Sequence, residues 1–237
     1  MRILRSPLDL TLTGIALISV VAILLGHDNP FVRLLICAKL PCPHWSDSHA
    51  WEKIAYDLGV GSLISLFFYV LVVRIPERQK RLRFKRNFKQ QYRRFKEDCI
   101  GEMLMIADGT YVGGFPEELT DQTKFREYFQ EKVTRDQDRW DRFFNELEED
   151  GLERIITHME VFRDQTAFVL TSIDISDDEP FEFLQRLTST IWQMKKSKAD
   201  YDSKKSLLNF FWDVFAGFSI VSGYRDYDMI ERAIDQI

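Results

Sequence analysis

Catalytic signatures are what this sequence lacks. It contains no G-x-S-x-G, H-E-x-x-H or C-x-x-C, and its glycine-rich segment Gly113-Gly114-Phe115-Pro116 lacks the G-x-x-x-x-G-K-S/T of a phosphate loop. Histidine is equally scarce: of four, only His158 lies beyond residue 49, and no Glu-x-x-His stands on any predicted helix, so a di-iron bundle has no ligand set. The dense carboxylates Glu146, Glu148, Glu149, Asp150 and Glu153 then read as a solvated helix face. No enzyme activity, cofactor or metal is expected.

Charge is also absent from two long stretches, Leu10 to Gly26 and Leu58 to Val73. A membrane-crossing helix needs about 20 apolar residues to span roughly 30 Å of hydrocarbon. The first stretch reaches that length through Leu8, with Asp9 at the interface. The second reaches it backwards through Ile54 and Tyr56, with Trp51 and Tyr56 at interfacial depth and Arg74 snorkelling outward. Arg2 and Arg5 would suit a cleaved signal peptide, but no A-x-A-like site precedes His27 and a second apolar stretch follows, so an uncleaved anchor is expected.

What is present between residues 74 and 96 orients this hairpin. Eleven Lys and Arg face only Glu77, a local net charge of +10. Such clusters stay cytoplasmic on insertion, so both termini are expected in the cytoplasm of a multi-pass inner-membrane protein, with residues 27–53 as an outer loop. That loop holds Cys37 and Cys42, flanked by Pro41 and Pro43, and His27, His44 and His49. A disulfide between Cys37 and Cys42 is the simplest reading in an oxidising compartment; free thiols and a zinc site with His44 and His49 are the alternatives.

The remainder is acidic. From residue 97 onward 16 Lys and Arg stand against 31 Asp and Glu, net −15, which excludes a general nucleic-acid-binding surface there. Contact with lipid headgroups or other phosphates belongs to the neck, with Arg78, Lys80, Arg81, Arg83, Lys85, Arg86, Lys89, Arg93 and Arg94 as its cations. Phe84, Phe88, Tyr92, Phe95, Cys99, Met103 and Ile106 recur at three- and four-residue steps, which predicts a helix aromatic on one face and basic on the other, kinked or restarted at Pro76. The expected class is mainly α: a hairpin at 1–75, a basic amphipathic neck helix at 76–106, and an acidic helical cytoplasmic domain at 107–237.

Within that domain Thr120 suits a helix N-cap, a long helical region is expected from about Arg135 to Ile173 with an interruption at Gly151, and Asp177-Asp178-Glu179-Pro180 marks another helix start. Ser206 to Ser222, dense in aromatics, reads as a buried helix rather than a third membrane element, because Asp213 is expensive in lipid. A final helix is expected from Tyr227. In the apolar stretches Gly59, Gly61 and Ser65 are the candidate helix-packing positions, Gly61-x-x-x-Ser65 being a small-x-x-x-small pair.

Two apolar stretches at about residues 8–26 and 54–74, a short outer loop, the basic Arg74 to Lys96 neck and a compact helical part together resemble the two-transmembrane effector proteins of bacterial anti-phage systems, including retron-associated ones. The resemblance lies in architecture. It implies a self-associating effector held inactive by a cytoplasmic protein or protein–nucleic-acid partner, such as a reverse transcriptase with its RNA–DNA product. Release would perturb the inner membrane and halt the infected cell. The competing expectation is a constitutive membrane-anchored adaptor that docks partners through its acidic domain.

Overall fold

The computed structural model describes residues 7–25, 49–175, 177–195 and 200–237. They are mainly helical and form two compact units, Met1–Lys80 and Arg81–Ile237. The boundary falls inside the basic run, so the expected 76–106 neck is shared between the units. Cys37, Cys42, His27, His44 and most of the expected outer loop lie outside the described residues.

In the first unit, helices α1 (Pro7–Leu25) and α2 (His49–Tyr69) pack against each other. The helix continues from α2 through a π-turn, Val70–Arg74, into α3 (Ile75–Asp108). Proline at 76 has no N–H to donate and its ring crowds the carbonyl four residues back. Just upstream the backbone widens, and the Ile75 N–H bonds to Val70 O, five residues back. The expected restart at Pro76 is thus a π-turn inside one continuous helix.

From Arg81 onward α3 is the spine of the second unit. Phe88, Tyr92, Phe95, Cys99 and Met103 form one buried stripe, with Ile100, Leu104 and Ala107 beside it, the 3.6-residue spacing of a helix face. Around it stand α4 (Phe115–Glu118), α5 (Gln122–Phe129), α6 (Arg139–Glu146), α7 (Glu149–Ser172), α8 (Asp178–Met194), α9 (Tyr201–Phe215), the hairpin β1 (Phe218–Ser219) and β2 (Gly223–Tyr224), and α10 (Met229–Gln236). Phe162 of α7 is the keystone: its ring stacks on Phe95 at 4.6 Å and meets Tyr92 at 5.5 Å and Phe88 at 6.0 Å. A second aromatic cluster joins Phe125, Phe129, Trp140, Trp212 and Phe215.

Three local expectations are revised. Asp121, not Thr120, caps α5, accepting from the N–H groups of Thr123 and Lys124 at 3.0 Å, while the Thr120 hydroxyl donates to Glu117 O. The long helical region breaks at Leu147–Glu148, both extended in backbone, rather than at Gly151. Gly151 lies within α7, where its lack of a Cβ admits Ile106, whose Cδ1 would stand 2.8 Å from such an atom. Finally, Ser206 to Ser222 is not one helix: α9 ends at Phe215, Gly217 takes φ +65°, and the chain turns into the hairpin. The α9 portion buries Leu207, Leu208, Phe211 and Phe215, as expected of a core helix. Asp121, Asp138, Asp200 and Asp228 cap α5, α6, α9 and α10 with their side chains, so part of the acidic surplus serves helix starts.

Phe162→Ala removes the ring that joins three aromatic residues of α3. A loss of about 3–5 kcal/mol is expected, measured as a lowered midpoint of chemical denaturation of the detergent-solubilised chain.

Candidate membrane and headgroup surface

Among the described residues one helix, Lys53–Asp108, is long and apolar enough to cross a membrane by length and composition; the apolar helix Leu10–Leu24 is shorter. The apolar part of Lys53–Asp108 is almost wholly unburied. Leu58, Phe67 and Val72 on it, and Leu10 and Ile18 on α1, are exposed. Burial that a water-soluble fold would demand of such side chains is missing, and a lipid solvent would supply it.

Close packing of α1 on α2 centres on Gly59. A Cβ there would stand 2.9 Å from Ser19 O and 2.8 Å from Ile23 Cγ1, so only glycine allows the backbones to approach this far. Beside it, buried Ser19 is hydrogen-bonded to Ser62 Oγ at 3.0 Å. Gly61 is placed differently: a Cβ would meet nothing within 4 Å. Ser65 turns its hydroxyl back to Gly61 O at 2.9 Å. The pair inside one chain therefore uses Gly59, and the Gly61–Ser65 face stays open.

The neck cations divide into two sets. Arg81 donates to Asp174 O at 2.8 Å. Lys89 pairs with Glu231 at 2.6 Å and with Asp235 at 3.5 Å, and Lys85 with Asp235 at 3.7 Å. The hydrogen bond from Lys89 to Glu231 holds its ammonium above the ordinary value, although solvent screening keeps such an exposed pair weak. Arg93 pairs with Glu97 at 2.8 Å and also with Glu117. Arg78, Arg83, Arg86 and Arg94 are exposed and have no ion-pair partner among the described residues. Lys80 is exposed as well. Phosphate contact thus falls most readily to the arginines, while Lys85 and Lys89 are engaged by α10.

Deeper on the same face lies an arrangement that composition did not reveal. Lys96 is buried, 3.2 Å from Asp228 Oδ2, and its ammonium also donates to Thr120 O. Tyr92 donates to the same Asp228 oxygen at 2.7 Å, while Asp228 Oδ1 accepts from the N–H groups of Ile230 and Glu231. Burial, and then the Asp228 charge, push the Tyr92 hydroxyl well above its usual value. Asp228, Glu231 and Asp235 follow the three- and four-residue rhythm of one helix face, as do Lys85, Lys89 and Lys96. That match was the only signal, and 132 residues separate Lys96 from Asp228.

Chemistry beyond charge is sparse. His158 Nδ1 lies 3.8 Å from Asp98, and no group of three or more ligands fit to hold a metal occurs among the described residues. Burial pushes the Cys99 thiol far up, which makes it unreactive. Comparison with protein-family models, with curated proteins and with solved structures finds no match.

Two outcomes follow from the buried polar residues. Asp228→Ala strands the Lys96 ammonium in the core and is expected to cost about 3–5 kcal/mol. Adding Lys96→Met removes the stranded charge and should recover part of this, leaving about 1 kcal/mol for the lost helix cap and about 1–3 kcal/mol for the Tyr92 hydroxyl without its acceptor, as read by denaturant titration of single and double variants. Alkali is the second lever. Tyr128, desolvated and donating to Asp108 at 2.7 Å, is pushed up to about 12. Its bound proton stabilises the fold fully below the unfolded value of about 10 and that contribution is lost as pH rises towards 12. Circular dichroism should show helix loss beginning above pH 10, with a shallower dependence in Tyr128→Phe.

Proposed function

We propose that the protein is a regulated membrane effector: an anchor made by α1 and α2, both ends of the chain cytoplasmic, and a helical domain through which a partner holds it silent. The observation that carries the reading is the helix Lys53–Asp108, which leaves its apolar side chains unburied along one part and becomes the aromatic spine of a folded unit along the rest. Lipid is the solvent that suits the first part. The exposed arginines Arg78, Arg83 and Arg86 follow it directly, as positive-inside placement requires. Gly59 and Ser19 give α1 a close seat on α2, which supports a two-helix hairpin over a lone span.

The finer form of the proposal is defence against phage. In it, a cytoplasmic partner, such as a reverse transcriptase carrying its RNA–DNA product, binds the silent state more tightly than the assembled one and so sets the equilibrium between them. Loss of the partner lets copies associate in the membrane through the open Gly61–Ser65 face and depolarise it. The engagement of Lys85 and Lys89 by α10 favours a second reading, a constitutive adaptor whose neck is chiefly structural.

Induced expression without genomic neighbours, read with a potential-sensitive dye, separates the two. The effector should depolarise cells, and Gly61→Leu should abolish this while insertion persists. Sustained polarisation and growth at high levels of inserted protein would establish the adaptor reading instead.

A further inference from the structure

The two most exposed large apolar side chains among the described residues sit side by side at the tip of the β1–β2 hairpin: Ile220 is 90% exposed and Val221 96%. The tip is built rather than frayed. Phe218 pairs with Tyr224 in the ladder, and their rings meet edge-on at 5.2 Å. Ser219 Oγ accepts from the N–H groups of Val221 at 3.3 Å and Ser222 at 3.4 Å, satisfying donors of the turn from within. Arg225 ties the base by donating to Phe218 O at 2.9 Å, and its own N–H bonds to Gly217 O. Such a turn does not need two β-branched apolar residues at its apex, where polar side chains would cost nothing.

Behind the tip the composition changes in the order found at a bilayer interface. Tyr224 and Tyr227 are half exposed, and each ring carries a guanidinium: Arg126 at 4.6 Å from Tyr224 and Arg232 at 5.1 Å from Tyr227. Asp228 of this sector is engaged inward by Lys96, Glu231 is paired at the surface with Lys89, Asp213 is half-buried with Arg225 beside it, and Asp226 is exposed. The unit from Arg81 onward carries 24 Lys and Arg against 31 Asp and Glu, net −7, and in this sector Arg126 and Arg232 stand against one exposed acid without an ion pair among the described residues, Asp226.

We infer that the hairpin is a lipid-contact loop: Ile220 and Val221 enter the acyl boundary while Tyr224, Tyr227 and their arginines lie at headgroup depth. The occupant is lipid because the exposed apex is aliphatic and the residues behind it, Tyr224 and Tyr227 with Arg126 and Arg232, are the amphipathic and cationic types that favour headgroup depth. The inference rests on the membrane anchorage proposed above, which keeps the loop tethered near a bilayer.

Full-length protein in nanodiscs tests it, with Cys37, Cys42 and Cys99 replaced and an environment-sensitive dye placed at Val221→Cys or, separately, Phe67→Cys. Lipids brominated on their acyl chains are the quencher. Quenching at both positions, lost at 221 when Ile220→Asp is added and retained at 67, is the expected result. Quenching at 67 alone overturns the hairpin assignment and leaves the anchor intact. Quenching at 221 alone overturns the anchor and leaves the hairpin in lipid; quenching at neither overturns both. A blue-shifted but unquenched dye at 221, with two copies per disc by light scattering, replaces lipid with a second copy of this chain.

Discussion

One helix carries two kinds of apolar surface. Over Lys53 to Val73 it packs on α1 around Gly59 and leaves Leu58, Phe67, Phe68 and Val72 exposed, and from Phe88 to Ala107 it offers a stripe that only a protein core can bury. Backbone hydrogen bonding joins these parts, and the π-turn at Val70–Arg74 lets it continue past a proline that would otherwise interrupt it. The second unit is assembled on that stripe: Phe162, Phe215 and the surrounding aromatic rings have α3 as their common surface.

Charge follows from the same constraint. The face of α3 opposite its core has to remain polar, and lysine and arginine fill it. Those facing α10 are compensated by Glu231 and Asp235, whereas Arg83, Arg86 and Arg94 are left to solvent or to an external anion. The +10 run is thus not one uniform electrostatic surface. Its deepest member, Lys96, is a core residue, tolerable there because Asp228 and Thr120 O accept from its ammonium, which lies 5.6 Å from the centre of the Tyr92 ring.

Helical periodicity carried most of the fold. The stripe from Phe84 to Ile106, the start at Asp178 and the core portion of α9 were legible because spacing and capping are local properties. The hairpin after Phe215 was not, since an apolar run such as Phe218-Ser219-Ile220-Val221 reads the same for a helix or a tight turn; Gly217 and Gly223, both at positive φ, decide it. Among the site residues, sequence gave the cations and the small residues but not their division. Whether Gly59 or Gly61 faces α1, and which lysines meet α10, depends on how distant segments dock, and no spacing rule encodes that.

The pairing of Lys96 with Asp228 also sets the timing of biogenesis. At bacterial-like elongation rates of roughly 5–20 residues per second, the 132 residues between them take on the order of ten seconds to synthesise. Throughout that interval the lysine at the heart of α3 has no counter-ion. The unit from Arg81 onward therefore closes only after Asp228 has left the ribosome, and a nascent chain stalled before residue 228 would keep its core hydrated.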